Sequence, residues 1–234
     1  MTKIPLLYLE KLSKTYGHYL ALDAIDLTLE AGQIVGLLGP NGSGKTSLLK
    51  LINGLLQPDS GTLLIQGQKP SLASKKIISY LPDLDHFHPD MKINQLVGYF
   101  QDFYPDFRAS KAQELLDELA LDGQRPFKDL DKALKAKVKL ILAMSRQADL
   151  YLLDDPICQG DPANSAYILR IIKENRPKEA SVLIASHLPV DLEEILDQVI
   201  FIKAGKILLH EPKEKLYQEK QESIEQIFRF QYRL

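Results

Sequence analysis

The residues whose types and order point most directly to chemistry are Gly39-Pro40-Asn41-Gly42-Ser43-Gly44-Lys45-Thr46, with Ser47 directly after them. They match the pattern G-x-x-x-x-G-K-S/T. They also stand between an apolar run of strand character, Ile34–Leu38, and helically spaced Leu48, Leu49, Leu51 and Ile52, which is the setting that gives the pattern meaning. Glycines allow successive backbone N–H groups to turn inward on phosphate oxygens, and the helix that follows adds the positive end of its dipole. Lys45 would neutralise the β- and γ-phosphates of a nucleotide, and the Thr46 hydroxyl would ligate Mg²⁺.

A phosphate cradle is compatible with GTPases, nucleotide kinases and ATPases. The guanine-reading string N-K-x-D is absent, since each Asn is followed by Gly, Gln, Ser or Arg, and D-x-x-G is absent too. Leu150-Tyr151-Leu152-Leu153-Asp154-Asp155 is instead a buried-strand run ending in two carboxylates. Asp154 suits a group that reaches Mg²⁺, and Asp155 one that orients an attacking water. His86 and His88 have no further Cys or His cluster to complete a metal site.

These residues need strands that end together and a helix that starts beside them. Apolar runs of strand length occur at Leu6–Leu9, Ile25–Leu29, Ile34–Leu38, Leu63–Ile65, Ile77–Leu81, Leu150–Leu153, Val182–Ala185, Val199–Ile202 and Ile207–Leu209. Helical spacing appears between them, as at Leu115, Leu116 and Leu119 and at Leu130, Leu134, Val138, Ile141 and Leu142. This alternation predicts an α/β fold with a mainly parallel sheet. The short Glu30–Gln33 link predicts a hairpin between Ile25–Leu29 and Ile34–Leu38, hence an antiparallel layer beside the main sheet. No strand is expected between Pro82 and Gln147, a stretch that reads as a helical insertion punctuated by Pro105 and Pro126. Residues 212–234 read as one amphipathic helix carrying Ile224, Ile227 and Phe228.

The 234 residues include 45% hydrophobic and 26% charged side chains with a net charge of -2, so neither disorder nor a general nucleic-acid-binding field is expected. The single Cys158 cannot form an intrachain disulfide, and no leader precedes Leu6, so a reducing cytosol is expected. The longest apolar runs fall far short of the ~20 residues of a spanning helix.

From Leu6 to about Leu209 the chain resembles the ATP-binding subunit of an ABC transporter. Beyond the phosphate cradle, the resemblance is carried by Lys14-Thr15-Tyr16-Gly17, Ala21-Leu22-Asp23-Ala24-Ile25-Asp26-Leu27, Ala31-Gly32-Gln33 and Ser186-His187-Leu188. It implies a P-loop NTPase cassette, ATP and Mg²⁺ as ligands, and a single domain over 1–234. The inserted helical subdomain would span 83–147 and receive a coupling helix from a separate transmembrane subunit at the cytoplasmic face of the membrane. Tyr16 would stack on adenine, a contact worth ~1–3 kcal/mol by analogy with base stacking, and His187 would sense the γ-phosphate. Most of Tyr99, Phe100, Phe103, Tyr104 and Phe107 should be core, with one or two lining the docking groove. Tyr80-Leu81-Pro82-Asp83-Leu84-Asp85, Asp102–Phe107 and Ser223-Ile224-Glu225 resemble, more narrowly, a Gram-positive subgroup often encoded beside GntR-type regulators.

Four positions depart from the family pattern. Asp83 stands where the Q-loop has Gln, a change a metal site tolerates. The signature L-S-G-G-Q is Leu130-Asp131-Lys132-Ala133-Leu134, so that Asp131 places negative charge where a serine and glycine amides grip the partner's γ-phosphate. Lys132, Lys135, Lys137 and Lys139 read as a solvated helix face. Asp155 replaces a glutamate and is shorter by one methylene, about 1.5 Å; a misplacement of ~1 Å can cost ~10²-fold in rate. In the D-loop, Cys158-Gln159-Gly160-Asp161-Pro162 retains Asp161-Pro162 but not the usual Ser-Gly-Leu lead. ATP binding is thus expected to be intact and hydrolysis weakened. A heterodimer with a second, more complete ATPase subunit is favoured over a homodimer with two poor sites. A non-hydrolysing regulatory subunit and a soluble ABC protein of translation or DNA repair remain as alternatives. No nucleic-acid partner is expected.

Overall fold

The computed structural model describes residues 4–157, 162–189 and 191–232. The first two strands, β1 (Leu7–Tyr16) and β2 (Tyr19–Leu29), form a hairpin, and β3 (Ile34–Leu38) leads through the glycine-rich turn into α1 (Lys45–Ile52). There follow β4 (Ser60–Ile65), α2 (Leu72–Ile77) and β5 (Ile78–Leu81), then α3 (Ile93–Phe103), α4 (Ala109–Glu118), a 3-10 turn (Phe127–Asp129) and α5 (Lys132–Met144). The chain returns through β6 (Leu150–Asp154), α6 (Pro162–Asn175), β7 (Ser181–Ser186), β8 (Gln198–Lys203), β9 (Lys206–Pro212), α7 (Lys213–Lys220) and α8 (Ile224–Tyr232). Each strand-length run falls on a strand, although Leu6 precedes β1 and Ile77 closes α2.

Two sheets result. An antiparallel sheet has the order β2-β1-β4, and a six-stranded sheet has the order β5-β6-β7-β3-β8-β9, parallel except for the β8–β9 edge. The hairpin expected between Ile25–Leu29 and Ile34–Leu38 does not form. β2 belongs to the first sheet and β3 to the second, so Glu30–Gln33 crosses between them. The reason lies in β3 itself, whose five residues are all buried. Such a strand needs cover on both faces and a neighbour on each side, and it finds β7 and β8. The crossing is held by Ser181, whose Oγ accepts the N–H groups of Gly32 at 2.9 Å and Gln33 at 3.3 Å.

Alternate residues of β3 and β6 feed two hydrophobic cores. Val35, Leu37, Leu150 and Leu152 pack with α1 and the antiparallel layer, whereas Ile34, Leu38, Tyr151 and Leu153 pack toward α3 to α6 and α8. Because β5, β6, β7 and β3 run parallel, their carboxyl ends open on one edge of the sheet, the usual place for a ligand in such a fold. From 212 on, the structure has two helices rather than one, divided at Gln221, whose φ is 51°. No helix among the described residues is long and apolar enough to cross a membrane.

Candidate functional site

Four strand ends meet at one edge: β3 runs into Gly39, β5 into Asp83, β6 into Asp154-Asp155, and β7 into Ser186-His187. The Gly39 N–H donates to the Ser186 carbonyl at 3.2 Å. Gly39 and Gly44 are required by space. A Cβ on Gly39 would lie 2.2 Å from the Ile202 carbonyl, and one on Gly44, whose φ is 106°, would lie 2.5 Å from the Ala21 carbonyl. Gly44 caps α1 without a side-chain hydrogen bond, and no acidic residue occupies the first turn. The amides at the start of α1 are therefore not taken by a side chain at the cap, which is what an anion site needs.

Lys45 is 8% exposed, and its Nζ donates to the carbonyls of Gly39 at 2.7 Å and Pro40 at 3.0 Å. Burial pushes its pKa down, opposed by the charges of Asp155 and Asp154. The Thr46 hydroxyl donates to Asp154 Oδ1 at 3.1 Å. Burial raises the Asp154 pKa to about 6; the Thr46 hydrogen bond and Lys45 oppose the rise, and the Asp83 and Asp155 charges add to it. Ser43 Oγ, Asp154 Oδ2 and the Tyr80 hydroxyl are buried with no hydrogen-bond partner. Orphaned oxygens beside a buried cation and an open helix start fit a triphosphate with a divalent cation.

Asp155 has φ 50°, an uncommon value for a residue with a Cβ, and its N–H donates to the Ala185 carbonyl at 2.9 Å. Its carboxylate meets His187 Nδ1 at 3.0 Å through Oδ2, so two groups assigned separate tasks from the sequence are in direct contact. Tyr16, at the hairpin end, reaches Ser47 Oγ at 3.4 Å and remains 44% exposed, as a stacking surface must. A cleft of about 1020 Å³ joins Asn41, Asp83, Asp154, Asp155 and His187 to Lys132, Lys135 and Lys139 of α5.

Lys132 is exposed, but Lys135, Lys137 and Lys139 of α5 are not a solvated face. Lys139 is 8% exposed, donates to the Asp83 carbonyl at 2.9 Å and pairs with Asp85 at 3.0 Å. Lys135 lies 3.9 Å from Asp85 and 5.4 Å from the Phe127 ring centroid, and Lys137 Nζ lies 5.0 Å from that of Tyr167. Within the segment Leu130–Leu134, Leu130 is buried, and Lys132, Ala133 and Leu134 form the first turn of the helix. Asp131 caps it, accepting the Leu134 N–H at 2.8 Å. Phe100 and Phe107 are buried, while Tyr99 and Phe103 are exposed. Cys158 and Asp161 lie outside the described residues.

Two supports of the cradle escaped the sequence reading. The Tyr19 hydroxyl donates to the Gly42 carbonyl at 2.7 Å, and the Gly205 N–H donates to the Ser43 carbonyl at 3.0 Å. The Ala204-Gly205 turn between two apolar runs signals a hairpin, and Tyr19 is the cross-strand partner of Tyr16. Neither signal tells what the turn or the ring touches.

The fold and the strand-end cluster define a nucleotide-binding α/β protein of the P-loop class. The family model described as ABC transporter matches residues 22–158. The chain is 32% identical over 202 residues to the ABC transporter ATP-binding protein YtrB of Bacillus subtilis, covering 85% of this chain and 69% of that protein. It is 28% identical to the lipopolysaccharide export system ATP-binding protein LptB of Haemophilus influenzae, over 91% of this chain and 92% of that one. A solved ATP-binding subunit of an ABC transporter superposes with a TM-score of 0.84 at 22% identity, covering 95% of this chain and 98% of the other, which speaks for the fold. This chain belongs to the ABC transporter family, as an ATP-binding subunit.

Proposed function

We propose that this chain binds Mg²⁺-ATP in the Gly39–Ser47 cradle and couples nucleotide-driven dimerisation to a separate membrane subunit at the cytoplasmic face, while its own hydrolysis is weakened. In this reading the backbone amides of Gly44, Lys45 and Thr46, at the turn into α1, and the Lys45 ammonium bind the phosphates. Tyr16 stacks on the base. Thr46 and Asp154, with Asp83 nearby, would hold Mg²⁺, which when bound would neutralise charge on the β- and γ-phosphates. Asp155 would take the proton of an attacking water, and His187 would contact the γ-phosphate. Residues 83–147 would serve as the subdomain that meets the membrane subunit, within a single cassette over 1–234. The Tyr80–Asp85, Asp102–Phe107 and Ser223–Glu225 strings support the GntR-associated subgroup.

The observation that carries weakened hydrolysis is the Asp131 cap. Its carboxylate accepts the Leu134 N–H at the start of α5, where the family offers a hydroxyl and open amides to the partner's phosphate. An anion at that point repels a phosphate and occupies a donor the phosphate would use. A heterodimer fits this arrangement better than a homodimer, because a complete partner would supply the signature that this chain lacks. The Asp155–His187 contact favours, as a second reading, a regulatory subunit that closes on ATP and scarcely turns it over. Steady-state ATPase of the purified chain, alone and with a complete second ATPase subunit, separates the readings. Weakened hydrolysis predicts slow turnover alone and faster turnover in the mixture, and a regulatory subunit predicts none at its own site in either. Fast turnover by the chain alone that Asp155→Asn abolishes would contradict both.

A further inference from the structure

The last helix reaches the floor of the phosphate cradle. α8 buries Ile224, Ile227 and Phe228, and its final turn carries Tyr232, which is 7% exposed. The Tyr232 hydroxyl shares its one proton between the carbonyls of Leu38 at 3.1 Å and Ile202 at 2.9 Å, as a bifurcated donor. These two carbonyls bracket Gly39. The first belongs to the peptide that Gly39 completes, and the second lies 2.2 Å from where a Gly39 Cβ would be. The Gly39 carbonyl in turn accepts Lys45 Nζ at 2.7 Å. One phenol thus holds both oxygens that fix where the cradle begins, and the cradle's first carbonyl holds the cation.

We propose that Tyr232 is a positioning residue for nucleotide binding, its hydroxyl pinning the carboxyl ends of β3 and β8 so that Gly39 and Lys45 meet the phosphates at a fixed place. The inference rests on the phosphate-site reading of Gly39–Thr46 and adds to it a residue that touches no substrate. The ring is held in place, with centroids 4.4 Å from Phe228 and 6.0 Å from Phe201. Burial pushes the phenol pKa up, so it remains a donor throughout the working range. The other end of α8 is tied to the segment that follows His187 in the chain. The Glu193 carboxylate, in the segment that follows His187, accepts the Ile224 N–H at 3.0 Å and the Tyr217 hydroxyl. The Lys213 ammonium donates to the Glu193 carbonyl at 3.2 Å. The α7–α8 pair therefore holds the chain both where the cradle starts and at Glu193, six residues after His187.

The test compares Tyr232→Phe, which keeps the ring and removes one oxygen, with Phe228→Leu, which loosens the same helix and leaves the hydroxyl. Affinity for ATP with Mg²⁺ is measured by fluorescence titration well below the melting temperatures, with thermal melts in parallel. The proposal expects Tyr232→Phe to weaken binding about tenfold, the loss of one oriented hydrogen bond, with a smaller loss of melting temperature than Phe228→Leu. Phe228→Leu should stay within about twofold of the wild-type affinity, a ratio worth roughly 0.4 kcal/mol. Tyr232→Phe binding as tightly as wild type, Phe228→Leu weakening binding equally, or a Tyr232→Phe chain that does not fold would each overturn it. A wild-type chain that fails to bind ATP would instead overturn the phosphate-site reading, and this inference with it.

Discussion

Asp154 illustrates how the site trades stability for binding. Its carboxyl is 3% exposed with one oxygen unpartnered, and burial lifts its pKa from 3.8 to about 6. Between those values the folded chain holds more protons than the unfolded one, so this group's contribution to stability falls as pH rises through that window. By neutral pH the loss is on the order of 2–3 kcal/mol. Asp154→Asn should therefore melt higher than wild type at neutral pH without nucleotide or metal, and should lose part of the slope between about pH 4 and 6. Thermal melts across pH in a chelator check this, and an unchanged or lower melting temperature would remove the burial argument. Gly39→Ala tests the cradle differently. Its Cβ would meet the Ile202 carbonyl, a backbone atom that cannot swing aside, so a loss of about 1–3 kcal/mol by urea unfolding is expected together with loss of ATP binding. Of these residues, the cradle, Asp154 and Asp155 stand out in the sequence because they lie at or directly after the ends of apolar strands, and His187 stands out through the family resemblance. Tyr19, Gly205 and Tyr232 do not, because what they touch lies 23 to 194 residues away along the chain, or on a different hairpin.

Two helices frame the chemistry, and their first turns differ in kind. α1 is capped by Gly44, with no side chain on its amides, and so is open to an anion; α5 is capped by Asp131, which has already supplied one. Asp131→Ala should cost about 1 kcal/mol of stability in urea unfolding, and Asp131→Ser, which still caps, distinctly less. Equal losses for the two variants would mean that the cap contributes nothing. The lysines on α5 show the limit of periodicity. Spacing along the helix identifies Lys135 and Lys139 as neighbours but says nothing of Asp83 and Asp85, which arrive from β5 and convert a charged row into a tie between two edges of the cleft. The Glu30–Gln33 link was misread for a related reason. A four-residue turn serves a hairpin or a crossing equally well, and only the two-sided burial of β3 decides between them.

At the scale of the whole molecule, the chain in the proposed reading keeps what binds ATP and alters what completes the site across a dimer. Two sheets, four convergent strand ends and a helix opened by glycine form the binding half. In that reading Asp131 and Asp155 are the altered parts. A chain of this kind should remain monomeric with Mg²⁺-ATP, since each closed dimer of identical subunits would set Asp131 against a phosphate twice; light scattering with and without nucleotide checks this, and a stable ATP-dependent homodimer would count against it. The most direct measurement is steady-state ATP turnover by the purified chain, compared with the double variant Asp131→Ser, Asp155→Glu. The account predicts slow wild-type turnover and a rise of about tenfold or more in the double variant, within the ~10²-fold that a misplaced catalytic group can cost. Turnover that stays equal or falls in the double variant would contradict it.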